Sequence, residues 1–238
     1  MTWKTQGEDI VLLSFGLRVN ELERLIPSDI SLDTRTHEGE EYGFLTLGLV
    51  KYTEFYHENF PVLSLDFPKA FLALSIQDSD GTPSYYLKRL FLPRLQGWLF
   101  RWFGGFPTKV MSIDYPTTAH PGGEYRWTLS NGGAGILRGK IEQQTGTTGR
   151  LLDFFESSEA MSEFFWNRNL VYSGSPGAMR SSSITLSDCE PYPIVFEKME
   201  LGFLAEDLER HQFPEAVIGS FFVPDCCIQI SGVSKSSL

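Results

Sequence analysis

The sequence predicts an α+β domain, mainly antiparallel, with its strands closed or sandwiched into a β-barrel and two or three short helices. Three observations predict it. Runs of eight to eleven β-forming apolar residues recur between turn signals. Helical periodicity is confined to a few short stretches. Nineteen Phe and nine Tyr weight the composition toward strands or an aromatic-lined cavity. No repeat and no long linker divides the 238 residues, so residues 1–238 read as a single domain with its core at about 10–230.

The elements follow in order. Residues 10–18 (IVLLSFGLR) read as a strand, and Asn20 caps a short helix, ELERLI, that stops at Pro27. Residues 42–52 (YGFLTLGLVKY) read as a long buried strand, with TEFYHENFP after it as a loop. Residues 69–77 (KAFLALSIQ) form the next strand, closed by the DSDGTP turn. The stretch 84–103 is the most apolar and helix-like. Pro93 kinks it, and Leu95, Trp98, Leu99 and Trp102 then mark one helix face before Gly104-Gly105 stops it. Short strands follow at KVMSIDY, EYRWTLS and GILRGKIEQQ, then a helix near 159–165, then ITLSD, PIVFEKMELGFL, AVIGSFFV and CCIQISGV.

Charge and composition exclude several classes. Net charge is −10, so a polyanionic partner such as nucleic acid is not expected. Three cysteines without framework spacing fit buried structural thiols in a reducing compartment, and four scattered histidines offer no ligand spacing for a metal. The N-terminus lacks signal-peptide features and no segment is long enough to span a membrane, which points to the cytoplasm. No Gly-x-Ser-x-Gly elbow, P-loop or dinucleotide fingerprint occurs, and NGGAG fits none of them, so no cofactor is expected.

Several segments together resemble a known family: LRVNELERLIPSDISLD, YGFLTLGLVKYTEF, a Gly-Thr-Pro turn, YYLKRLFLP, WFGGFPTKVMSIDY and, later, EAMSEFFWNRNLVYS with CEPYPI. This succession, over roughly residues 10–205, is similar to that of the uncharacterised DUF2071 family, itself similar in fold to acetoacetate decarboxylase. In that enzyme a strand carries two adjacent lysines, and the first forms a Schiff base with the substrate ketone. An amine is neutral at pH 7 only when burial or a neighbouring cation lowers its pKa by several units. The resemblance places Thr108 where the Schiff-base lysine would stand and matches Lys109 to the second lysine. Adjacent strand residues face opposite ways, so Lys109 cannot simply replace its neighbour. DUF2071 proteins often carry Glu, Asn and Arg at alternate positions after a Phe-Pro. Here those positions are Lys69, Phe71 and Ala73, which implies a more apolar cavity if that face lines it.

The candidate catalytic residues are Lys109, Glu54 and Arg89, and the candidate pocket lining is Thr108, Phe71, Tyr86, Phe106 and Arg126. Glu54 follows the long strand as a pocket glutamate does in the decarboxylase. A carboxyl in an aromatic pocket can serve as acid or base; the alternative is an exposed loop residue. Arg89 could clamp a substrate carboxylate, or lie with Lys88 along an amphipathic surface. The dense aromatic cluster of Tyr85, Tyr86, Trp98, Trp102, Phe103 and Phe106 suits core packing and pocket lining equally. The expected function is a cofactor-independent enzyme of lyase, cyclase or isomerase type. It would act on a small, mostly apolar or keto-acid-like carbonyl compound in an internal pocket, without the family's Schiff-base lysine. A non-catalytic small-molecule-binding protein of the same fold is the alternative, and homo-oligomerisation stays open.

Overall fold

The computed structural model describes residues 2–104, 106–115, 120–130, 134–141, 153–175, 178–187, 189–204 and 217–235. Within them lie fourteen strands. These are β1 (Thr2–Arg18), β2 (Ser31–Leu32), β3 (Arg35–His37), β4 (Glu40–His57), β5 (Phe60–Gln77), β6 (Pro83–Leu92) and β7 (Thr108–Val110). The remainder are β8 (Ser112–Asp114), β9 (Glu124–Ser130), β10 (Ala134–Ile141), β11 (Leu170–Ser173), β12 (Arg180–Ser187), β13 (Tyr192–Leu201) and β14 (Val217–Lys235). Three short α-helices accompany them: α1 (Val19–Leu22), α2 (Arg94–Leu99) and α3 (Ser158–Trp166). The architecture is a mostly antiparallel sheet with few helices.

The pairings run β1–β4–β5–β6–β11–β12–β14, and β14 also pairs with β1, so the order of hydrogen-bonded neighbours returns to its start. All these pairings are antiparallel except β6 with β11. The long strands β1, β4, β5 and β14 each serve two or three neighbours, and their alternation splits the apolar residues into two sets. One face of β1, β4 and β5 carries Val11, Leu13, Leu47, Leu49, Leu72 and Leu74. It packs against Tyr125, Trp127 and Leu137 of the β8–β9–β10–β13 layer. The other face carries Ile10, Val50 and Tyr52, which gather with Leu87 and Leu90 of β6 and Val223 and Ile228 of β14 into a separate cluster. Aromatic groups lie at its two ends. Phe44, Phe154, Phe155, Phe164 and Phe165 pack around α3, while Trp3, Phe55, Phe67, Phe100 and Phe106 gather at the opposite end.

Three local expectations change. The segment TEFYHENFP is not a loop; β4 and β5 continue through it and pair His57 with Phe60 across a tight turn. The segment before Pro93 is a strand, β6, rather than a helix, because β5 on one side and β7 and β11 on the other supply ladder partners that outweigh its helical pattern. Only after Pro93 does the helix form: α2, followed by a wider turn over Phe100–Gly104. The cysteines also differ from the thiols expected. The β12–β14 pairing, which sets Ser187 opposite Cys227, brings Cys189 to Cys226 and the two form a disulfide, while Cys227 is free and exposed. No helix among the described residues is long and apolar enough to cross a membrane.

Candidate functional site

A cavity of about 180 Å³ lies within the second cluster, and each strand of the β1–β4–β5–β6–β11–β12–β14 succession contributes to its wall. Strand alternation sets which side chains reach it. Lys69, Phe71 and Ala73 of β5 face inward, as do Thr46, Val50 and Tyr52 of the paired β4. Gly48 sits opposite Phe71, and the tip of the ring packs against it. A Cβ there would fall 2.1 Å from Phe71 Cζ, so only glycine leaves the ring its place. On β6, Tyr85 and Leu87 face the cavity, and then the phase changes. The register slips so that Leu72 opposes Arg89 while Ala73 opposes Leu87, and Leu90 becomes the next inward residue. Phe100, Phe106, Phe165 and Trp166 complete the ends, and the bridged Cys189 and Cys226 form part of the wall.

Lys69 is the amine in this cavity. Its Nζ hydrogen-bonds the Tyr52 hydroxyl, stands 4.0 Å from the Tyr52 ring centroid and lies 5.4 Å from that of Phe71. The side chain is only half-buried by its own surface, and it lines the cavity. Burial without a compensating carboxylate lowers its pKa from 10.5 to about 7. The same burial pushes the Tyr52 phenol well above its usual value, so it stays protonated.

Arg168 also borders the cavity, with four of its five N–H donors engaged among the described residues. Nε donates to the Phe164 carbonyl at 2.6 Å, and Nη1 to the carbonyls of Ile76 and Ser84 at 3.0 and 3.1 Å. Nη2 meets Asp33 Oδ2 at 2.6 Å, in a pair 1% and 4% exposed. Arg168 thus ties α3 to β5 and β6 and stacks its guanidinium 4.0 Å from the Phe164 ring centroid. Thr46 also lines the cavity; its Oγ1 is buried and has no hydrogen-bond partner among the described residues.

Of the residues singled out in the sequence, Phe71 and Phe106 line this cavity together. Tyr86 lies on the opposite face of β6 and donates to the Gly174 carbonyl at 2.8 Å. Thr108 is buried beneath α2, where its Oγ1 accepts from Arg101 Nε at 3.1 Å and donates to the Gly97 carbonyl at 3.3 Å. Lys109 follows it on β7 and does not border the cavity. Glu54 is exposed at the β4–β5 irregularity, with a left-handed φ of 52° and its backbone N–H donating to Asp66 Oδ1 at 2.8 Å. Arg89 falls outside the wall because of the β6 phase change. Arg126 is exposed between Tyr125 and Trp127, both fully buried. The aromatic cluster divides: Tyr85 and Phe106 face the cavity, whereas Trp98 and Trp102 stack on each other at 5.2 Å and are 54% and 73% exposed. Sequence reasoning did not select Lys69 as a candidate. The signal was available, since Lys69 opens an inward-facing alternation directly after Phe67-Pro68.

No family model matches the sequence, and no curated protein matches it either. Solved structures do. An acetoacetate decarboxylase-like enzyme from Sphingomonas wittichii RW1 superposes with a TM-score of 0.64 at 12% identity, covering 98% of this chain and 92% of the other. The fold is acetoacetate decarboxylase-like. The enduracididine biosynthesis enzyme MppR agrees, with a TM-score of 0.63 at 14% identity over 99% of this chain and 89% of its own. That MppR structure contains the condensation product of pyruvate and imidazole 4-carboxaldehyde, and another contains pyruvate.

Proposed function

We propose that this protein is a cofactor-independent enzyme that binds a small, mostly apolar carbonyl compound in its cavity and activates it through Lys69. The observation that carries the reading is a single amine, near neutrality in its pKa, inside an apolar cavity and in contact with a protonated phenol. The return of the strand pairings to β1 supports a closed barrel around that cavity. The order of elements supports placing the chain beside DUF2071 proteins, as one domain. The pyruvate-derived ligands of MppR, which has the same fold, support carbonyl chemistry as the theme.

The chemistry balances within the chain. The neutral Nζ attacks the carbonyl carbon, and the carbonyl π pair moves to oxygen, which takes the Tyr52 proton. The phenolate recovers a proton from the new C–N–H centre. Tyr52 then gives its proton to the departing hydroxyl, which leaves as water and forms the iminium ion beside the Tyr52 phenolate; the iminium is an electron sink that eases removal of an α-proton by that phenolate or cleavage of an adjacent C–C bond. Lyase, isomerase and cyclase outcomes all follow from that intermediate. A second reading, non-catalytic binding, draws on how few polar groups the wall offers.

The experiment is borohydride trapping with nonan-2-one, followed by peptide mapping. The expected adduct sits on Lys69, is absent in Lys69→Met, and increases as pH rises through about 7, where the amine loses its proton. No adduct, with nonan-2-one nevertheless bound, would establish the binding protein instead. An adduct on Lys109 would return the chemistry to β7.

A further inference from the structure

We infer that α2 and the turn after it dock the protein on a lipid bilayer that carries anionic headgroups. Between Asp80 and Asp114 the chain holds Lys88, Arg89, Arg94, Arg101 and Lys109 and no carboxylate, although acidic residues outnumber basic ones by 30 to 20 overall. The structure brings the apolar centre of that stretch to the surface. Leu95, Trp98 and Trp102 are exposed, and the two indoles stack. Arg94 and Arg101 are exposed beside them and share a shallow groove with Leu95 and Trp98. Arg101 donates to the hydroxyl and the carbonyl of Thr108, both neutral, and neither arginine has a carboxylate partner among the described residues. The other side of α2 is held to the barrel. Gly97 is buried, its carbonyl accepts from Thr108 Oγ1 at 3.3 Å, and Phe100 packs on Phe55, Phe67 and Phe106.

Exposed tryptophans flanked by arginines suit a bilayer interface. The indole body enters the acyl boundary, while its N–H and the guanidinium groups stay among the headgroups. Charge selects the occupant. A second copy docked across a two-fold axis would press two like-charged patches together, whereas anionic headgroups neutralise them. The β4–β5 hairpin is the comparison. Phe60, Val62 and Leu63 near its tip are exposed too, but Glu54, Glu58 and Asp66 belong to the same hairpin, so it lacks the charge for that surface. Docking through α2 sets the Phe100 and Phe106 end of the cavity beside the lipid, the phase in which an apolar carbonyl compound collects. It needs no chemistry at Lys69.

The test is co-sedimentation with phosphatidylcholine vesicles, with and without phosphatidylserine, at low and high salt. Phosphatidylserine should tighten binding about tenfold, and salt should weaken it. Trp98→Ser combined with Trp102→Ser should lower affinity by about tenfold or more. Arg94→Gln, at an exposed position, should lower it about fivefold, and it carries the test alone if the double variant does not fold. Val62→Ser with Leu63→Ser should bind as the wild type does. So should Lys69→Met, which keeps a failure of docking distinct from a failure of the borohydride trapping. Absence of vesicle binding overturns the inference, as does binding indifferent to phosphatidylserine. Binding that the hairpin variant loses and the tryptophan variant keeps overturns it too. A concentration-dependent dimer, formed without lipid and abolished by the tryptophan changes, would make a second copy the occupant instead.

Discussion

Replacing Lys69 with methionine should stabilise the protein, and by an amount that depends on pH. Methionine keeps the length and flexibility of the chain and removes the amine. Burial lowers the Lys69 pKa from 10.5 to about 7, and each unit of such a displacement corresponds to about 1.4 kcal/mol. The whole displacement is thus at most about 5 kcal/mol, less whatever solvation water in the cavity returns to the amine. Because the folded-state value is the lower one, the unfolded chain binds an extra proton between pH 7 and 10.5. Wild-type stability therefore rises with pH through that window and is flat below it. Lys69→Met lacks this slope. Its advantage should be largest near pH 6 and should shrink by about 3 kcal/mol between pH 7 and 9.5. Urea unfolding of both proteins at matched pH values measures the difference directly and cancels the titration of every other group. Parallel stability curves for the two proteins would show that Lys69 is solvated as in the unfolded chain, and the argument for a neutral amine would fall with them.

Two other substitutions probe the frame of the cavity. Arg168→Met should cost about 3 kcal/mol in urea unfolding, since it leaves Asp33 Oδ2 and three buried carbonyls without their donor while Arg35 stays paired to Oδ1 at 3.0 Å. Gly48→Ala drives a methyl group into the Phe71 ring and should cost about 1–3 kcal/mol by overpacking. Paired with Phe71→Ala in a double-mutant cycle it should cost far less than the sum, and strict additivity would mean that the ring does not rest on Gly48.

Much of the frame is legible in the chain because it is written in local patterns. The alternation in KAFLALSIQ identifies Lys69, Phe71 and Ala73 as one face, and the run YGFLTLGLVKY marks a strand buried on both sides. Pro93 marks the start of α2, and the wider turn that follows the helix runs to Gly104. Non-local pairing overrode local pattern at β6, where the helical spacing of SYYLKRLFLP yields to ladder partners supplied by residues before and after it.

The site divides in the same way. Sequence alone determined that a strand-rich, aromatic-laden chain would set Phe71 and Phe106 among its apolar residues, and that two Phe-Pro pairs, at 67–68 and 106–107, each precede a lysine. Which lysine meets the cavity was decided by tertiary structure. Alternation says only that neighbours face opposite sides; it does not say which side becomes interior. That follows from the return of the pairings from β14 to β1, from the β6 phase change that turns Arg89 away, and from α2 packing over Thr108. Together they leave Lys69 as the enclosed amine, because burial is a property of what surrounds a residue, and its surroundings come from strands far away along the chain.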